Sequence, residues 1–393
     1  MADFISQDPT EIEDWPSLFY GPEHQAWRAT LRRRVDKEIA PFVNDWDEAG
    51  TFPRELYRKA AEIGLLPLGY PEEYGGIPKL DPFMGMVSSQ ELARPACGGL
   101  AASLMTHGIG CPPIVAAGSD ELKTRVLPAV LRGEKISALA ITEPSAGSDV
   151  AALRTTARRD GDDYVVNGSK MFITSGMRAD FYTVAVRTGG PGAGGVSLLL
   201  IERDRPGFTR TELKKMGWWC SDTAALYFDE VRVPAANLIG PENRGFAIIA
   251  RNFNGERLGM ASSVTATARV ALREAIAYAR ERQTFGKRLA DHQVIRHKLA
   301  EMARMVKATQ AFLDLTAWRV GQGESPVADL CLLKVQATQT LEFCAREAVQ
   351  IFGGAGYMRG VKVERIYREV RVNAIGGGSE EIMRDLAARQ MGI

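Results

Sequence analysis

From about Arg244 onward, apolar side chains recur every three or four residues. Ile295, Leu299, Met302, Val306, Thr309, Leu313, Ala317 and Val320 step by four, three, four, three, four, four and three. Leu330, Leu333, Ala337, Leu341, Cys344, Ala348 and Ile351 follow the same rule. Two amphipathic stretches of this length, separated by a turn-rich run from Gly321 to Pro326, predict antiparallel helices of a bundle. Residues up to about 133 carry a shorter version of the helical period. His24 to Glu48 is charged and periodic with a break near Pro41, and Pro53 suits the first position of a second helix with Leu56, Ala60 and Ile63 inside. PEEYGG, Pro71 to Gly76, is turn chemistry, and Leu92, the alanines around Ala101 and Glu121 to Leu131 resume the helical pattern.

Between about Ile136 and Pro241 the pattern shortens. Tyr164, Val165 and Val166 lead into Asn167-Gly168 and then Ser169 to Ile173, which predicts a hairpin turning at the Asn-Gly pair. Phe181 to Val186, Val196 to Ile201 and Ala225 to Phe228 are further strands between Gly- and Pro-rich turns. The expected fold is α+β: an N-terminal helical domain over 1–133, a middle β-sheet domain over 134–243, and a C-terminal four-helix bundle over 244–393.

Composition narrows the function classes. The chain has 393 residues, with 49 Lys plus Arg against 48 Asp plus Glu, a formal charge of +1. So balanced a chain has no global field to draw it onto nucleic acid or an anionic membrane. The five cysteines, Cys97, Cys111, Cys220, Cys331 and Cys344, are scattered, with no zinc or redox spacing. Reduced buried thiols and a cytoplasmic location are the expectation. The opening MADFISQDPTEIEDW carries five acids and no base, the wrong charge for a targeting peptide. The longest apolar run, Val196 to Ile201, is too short to span a bilayer.

Several chemistries lack their motifs. There is no P-loop or G-x-S-x-G, and Gly353-Gly354-Ala355-Gly356 ends a helical pattern where a dinucleotide loop would open one. His24, His107, His292 and His297 make no metal spacing, and no metal is expected.

Five other stretches stand out: LAITEPSAGSD (Leu139 to Asp149), FITS (Phe172 to Ser175), RQTFGKRL (Arg282 to Leu289) followed by His292-Gln293, QIFGGAGY (Gln350 to Tyr357) and IGGGSEEI (Ile375 to Ile382). In this order and spacing they resemble the acyl-CoA dehydrogenase family of flavoproteins over nearly the whole chain. The resemblance implies FAD. It assigns to that cofactor Leu139, Ile141, Thr142, Ser148, Phe172, Ile173 and Thr174 from the middle domain. From the bundle it assigns Arg282, Phe285, His292, Gln293, Gln350, Gly353, Gly354, Ser379 and Glu381. Small residues and backbone amides at a strand end suit close approach to a flat ring. Thr142, Thr174 and Ser148 offer hydroxyls, and Phe172 a stacking face where the family more often has Trp. Arg282 is implied on the pyrophosphate of a neighbouring subunit's flavin, with Phe285, while Gln350 to Gly354 follow the adenosine half.

The base departs from the usual pattern. Most of the family carries a catalytic glutamate in a Tyr-Glu-Gly-Thr-like run, and aligning Gly378-Ser379 with Gly-Thr puts Gly377 at its place. The long-chain and isovaleryl branches instead use a glutamate directly before an arginine on the first bundle helix. Here that place reads Asn254-Gly255-Glu256-Arg257-Leu258. Glu256 is therefore expected to take the α proton while the β hydride goes to FAD, giving the trans-2-enoyl-CoA. The thioester oxygen would be held by a flavin ribityl hydroxyl and the Gly377 amide, and Ser148, Asn254, Arg257 and Gly378 would contact substrate. A homotetramer with an electron-transfer flavoprotein as acceptor is implied. An oxygen-using oxidase and a non-catalytic FAD- or CoA-binding subunit stay open. A glutaryl-type decarboxylating enzyme is disfavoured, because that branch keeps its glutamate in the final motif. The acyl group is not fixed by these residues.

Overall fold

The structure, a computed structural model, describes residues 18–393; the acidic opening run MADFISQDPTEIEDW lies outside the described residues. Two compact units emerge. One comprises Asp45–Lys79 and Gly99–Glu256; the other comprises the described residues up to Asn44, Leu80–Gly98 and Arg257–Ile393.

The first unit is built on a seven-stranded sheet. Its strands are β1 (Ser137–Ala140), β2 (Thr156–Asp160), β3 (Asp163–Thr174), β4 (Phe181–Arg187), β5 (Val196–Glu202), β6 (Phe208–Glu212) and β7 (Thr223–Pro234). Their order is β1-β4-β2-β3-β7-β6, with β5 also paired to β4. β1 runs parallel to β4, and β3 lies antiparallel to β2 and β7. Val184 to Val186 and Leu198 to Ile201 are fully buried, which explains why these strands read as unbroken apolar runs. The helix Asp120–Leu131 packs Leu122, Val126, Leu127 and Val130 into the same core as Val196, Leu198 and Leu200.

The expected Asn167-Gly168 hairpin is not there. β3 runs straight through both residues, and the hairpin turns at Gly161-Asp162, where Asp160 opposes Asp163. The pair instead marks an irregularity in the β3–β7 register. The Asn167 side chain accepts from Glu230 N–H at 2.9 Å and donates to the Glu230 carboxylate at 2.5 Å. Gly168, at φ +140°, leaves room for Thr155, whose Cα would lie 2.7 Å from an added Cβ. Cross-strand demands therefore overrode the local turn preference.

The second unit is helical. Pro22–Glu38, Pro82–Ala93, Gln293–Gly321 and Val327–Phe352 are its main complete helices. The 37-residue helix Gly245–Glu281 begins in the sheet unit and continues into this one. Met302, Val306, Leu313 and Ala317 meet Leu330, Leu333, Ala337, Leu341 and Cys344 in one core, as the two sequence stripes require. The five cysteines are free and buried. Among the described residues no single helix is long and apolar enough to cross a membrane.

Candidate active site

In the sheet unit the first two motifs meet. β1 delivers Leu139, and the chain then turns through Ile141 and Thr142 into a tight loop in which Glu143 and Ala146 exchange backbone hydrogen bonds at 3.0 and 3.2 Å. Ile141 is buried and Thr142 half-buried, while Ser148 is exposed just beyond the loop. β3 lies alongside, and Met171 N–H donates to the Thr142 carbonyl at 2.8 Å.

A second register shift, between Lys170 and Ile173, frees Met171 and Phe172 from β7. Phe172 takes φ +62° and stands 67% exposed. A non-glycine residue in the left-handed region, carrying an exposed aromatic ring, is strain of the kind retained at ligand sites. Ser175 repeats the strain at φ +58°, held by its N–H to Asp222 O at 3.0 Å and its hydroxyl to Ser103 at 3.0 Å. Thr174, between them, is half-buried, whereas the Ile173 side chain is buried and leaves only its backbone for a ligand.

The same unit ends with Asn254 and Glu256, both half-buried on the helix Gly245–Glu281. Arg257 follows and is 8% exposed. At about 100° per residue, Asn254 and Arg257 share a helix face, with Glu256 turned about 100° from Arg257. No atom outside the helix lies within 4 Å of where a Cβ on Gly255 or Gly259 would stand. Open space thus lies beside Gly255 and Gly259 on this helix, while the Glu256 Oε2 is itself buried.

In the helical unit, Arg282 follows the end of that helix and its carbonyl accepts from Leu289 N–H at 2.7 Å, closing a small hairpin. At its tip Phe285 has φ +51° and is 97% exposed. His292 lies at the hairpin base, its Nε2 3.0 Å from the Thr284 hydroxyl, and Gln293 starts the next helix. Gln350 is exposed in the last turn of Val327–Phe352, which ends on Gly353 at φ +59°. Nothing lies within 4 Å of where a Cβ on Gly353 or Gly354 would stand, so a ligand can reach that backbone.

The glycine loop follows the same logic. Gly377 and Gly378 take φ +67° and +103°, and an added Cβ at Gly378 would meet the Met383 methyl at 2.4 Å. The fully buried Lys334 donates to the Gly378 carbonyl at 2.6 Å. Ser379 caps the helix Glu380–Met391 by accepting from Ile382 N–H. The backbone N–H of Glu381 and the Ser379 hydroxyl hold the Glu381 carboxyl below its ordinary value.

Three domain families match most of this chain: acyl-CoA dehydrogenase N-terminal domain over residues 21–134, middle domain over 138–231 and C-terminal domain over 243–392. The chain belongs to the acyl-CoA dehydrogenase family. The rat mitochondrial long-chain specific acyl-CoA dehydrogenase is 36% identical over 95% of this chain and 87% of its own length. The cyclohexane-1-carbonyl-CoA dehydrogenase of Geobacter metallireducens is 34% identical over 92% and 95%. The crystal structure of an acyl-CoA dehydrogenase from Geobacillus kaustophilus superposes with a TM-score of 0.93 at 38% identity, covering 96% of this chain and 100% of that one.

An acyl-CoA dehydrogenase is a flavoprotein oxidoreductase acting on CH–CH groups, and its cofactor is FAD. The residues here fit that group. In the sheet unit the exposed ring at Phe172 and the hydroxyls at Thr142, Thr174 and Ser148, and in the helical unit the exposed guanidinium at Arg282 and the open backbone at Gly353-Gly354, are each of a chemistry that a flavin dinucleotide can use.

Sequence reasoning missed three residues that hold these pieces in place: Lys170, Glu143 and Lys334. The available signal was a lysine at an inward strand position and another inside an apolar helix stripe, where a charge must find a partner.

Proposed function

We propose that the protein dehydrogenates long or α,β-bulky acyl-CoA thioesters, with Glu256 as the α-proton base. The observation that carries this reading is the coupled departure at Glu256 and Gly377. Gly377 offers no carboxylate, and its φ of +67° suits glycine; Glu256 stands half-buried on the first bundle helix. Desolvation by a bound acyl chain would raise the Glu256 carboxyl toward a useful basicity. The Gly377 amide would donate to the thioester oxygen as enolate character grows. Ser148, Asn254 and Arg257 would hold the CoA arm, and Gly378 the backbone beside it. FAD supplies the two-electron acceptor for the β hydrogen. Phe172, Thr142 and Thr174 of one copy, with Arg282, Phe285 and Gln350 of another, would hold it in a homotetramer. An electron-transfer flavoprotein would then collect the electrons.

Substrate size follows from missing side chains. Gly377 would bring no side chain near the reacting carbons, while Met383 fills the place of a Gly378 side chain, and the space beside Gly255 and Gly259 is open. Each methylene buried in fitting apolar space contributes about 0.8 kcal/mol, several-fold per carbon. The relatives named for long-chain and cyclohexane-1-carbonyl substrates support room for either kind of bulk. Specificity constants for butyryl-, isovaleryl-, octanoyl- and palmitoyl-CoA test this, assayed with a carrier flavoprotein and in air. We expect butyryl-CoA to be poorest in the panel and turnover to need the carrier. A clear preference for butyryl-CoA removes the size argument, and full turnover on oxygen alone identifies an oxidase.

A further inference from the structure

We propose that Lys170 and Glu143 form a buried positioning pair that orients the Ile141–Thr142 peptide toward the flavin. This deepens the reading above and rests on its assignment of Thr142 to the cofactor. Lys170 is 0% exposed and Glu143 5%. The Lys170 ammonium donates to the Glu143 carboxylate at 2.8 Å and to the Ile141 carbonyl at 3.0 Å. The next residue, Met171, donates its N–H to the Thr142 carbonyl at 2.8 Å. Two neighbouring residues of β3 therefore hold two neighbouring carbonyls. Glu143 is anchored in turn by the N–H groups of Arg154 at 2.6 Å and Thr155 at 2.9 Å.

The consequence follows from peptide geometry. In a planar trans peptide the carbonyl and the next N–H point in opposite directions. Drawing the Ile141 carbonyl to Lys170 turns the Thr142 N–H away from it, so the pair fixes where that donor is presented. The same stretch of β3 runs directly into the strained Phe172, so one lock sets both the Thr142 edge and the aromatic face.

Stability alone is a poor explanation for such a pair. Burial pushes the Lys170 ammonium below its ordinary value, against the pull of Glu143. Burial also works against the Glu143 carboxylate, and Lys170 with the Thr155 and Arg154 donors outweighs it. Replacing a buried ion pair by apolar or neutral groups of similar shape is often neutral or stabilising, whereas removing one partner strands the other. What an apolar pair cannot supply is the charge-assisted bond to Ile141.

The test compares holoenzymes of Lys170→Met, Lys170→Met/Glu143→Gln and Thr142→Val. FAD release is read by recovery of flavin fluorescence on dilution, with visible circular dichroism of the bound flavin and melting temperature at saturating FAD. We expect the double variant to regain part of the melting temperature lost in Lys170→Met, because it no longer strands a buried charge, although one end of the Glu143→Gln amide must face a backbone N–H. It should still release FAD about tenfold faster than wild type, the loss of one charge-assisted bond, with an altered dichroism. Wild-type release and dichroism in the double variant would overturn the positioning role. If the double variant stays unstable, the dichroism of its FAD-loaded fraction decides: a wild-type spectrum overturns the proposal and an altered one supports it. Thr142→Val separates the underlying assignment. Unchanged release there together with wild-type release in the double variant removes the flavin from this strand end, and the proposal with it, whereas unchanged release there with fast release in the double variant leaves the Thr142 N–H, which valine keeps, as the contact and supports the proposal. Fast release there with wild-type behaviour in the double variant rejects the pair alone.

Discussion

Glu256→Gln is expected to fold, retain FAD and bind acyl-CoA, yet reduce its flavin roughly two to four orders of magnitude more slowly than wild type, the usual worth of a general base. The amide keeps the shape of the carboxylate and much of its hydrogen bonding, but it cannot accept the α proton. Stopped-flow anaerobic reduction gives the chemical step, and equilibrium binding of a non-reducing acyl-CoA analogue shows that the site is intact. A near wild-type reduction rate would move the base elsewhere. The reciprocal rescue, Gly377→Glu with Glu256→Gly, is handicapped by the backbone. Gly377 sits at φ +67°, where a side chain adds strain of roughly 1–3 kcal/mol. Partial recovery is therefore the most the swap should give.

Arg282→Ala is expected to lose FAD and loosen the oligomer together. On the proposed placement of Arg282 at the FAD pyrophosphate, removing the guanidinium would cost charge-assisted hydrogen bonds, so FAD affinity should fall roughly ten- to a hundredfold. The hairpin around it supports a role outside its own chain. Arg282 is exposed, and Phe285 at the tip combines φ +51° with 97% exposure. Such strain and so bare an aromatic ring make sense when another molecule covers them. Size-exclusion chromatography with flavin-to-protein absorbance reads both effects at once. A fully FAD-loaded, stable monomer would contradict the shared site, and loss of FAD from an intact tetramer would confine Arg282 to the cofactor.

What the sequence made legible tracks the physical reach of each signal. The stripes Ile295–Val320 and Leu330–Ile351 became the helices Gln293–Gly321 and Val327–Phe352, because a repeated apolar period has one burial solution. The break near Pro41 became a short 3₁₀ turn at Ala40–Phe42. Phe181–Arg187 and Val196–Glu202 were visible as apolar runs, whereas β6, with its exposed threonines and glutamate, carries no such run. The Asn-Gly pair misled because Glu230 and Thr155, distant in sequence, claim it across the sheet. In the site, motif residues could be named, but not the left-handed backbone at Phe172 and Ser175. Those conformations come from the register shift in β3 and the Asp222 and Ser103 contacts, which no local pattern records. Lys170 stayed hidden for the same reason, since its partners Ile141 and Glu143 lie more than twenty residues upstream.

Anaerobic titration of the FAD-loaded protein with butyryl-, isovaleryl-, octanoyl- and palmitoyl-CoA decides whether this chain is a dehydrogenase that uses Glu256. We expect stoichiometric bleaching of the yellow flavin by at least one of the larger thioesters, with the matching 2-enoyl-CoA as product and no bleaching on the same timescale in Glu256→Gln. A flavin that dithionite reduces but none of the four thioesters bleaches would contradict that reading.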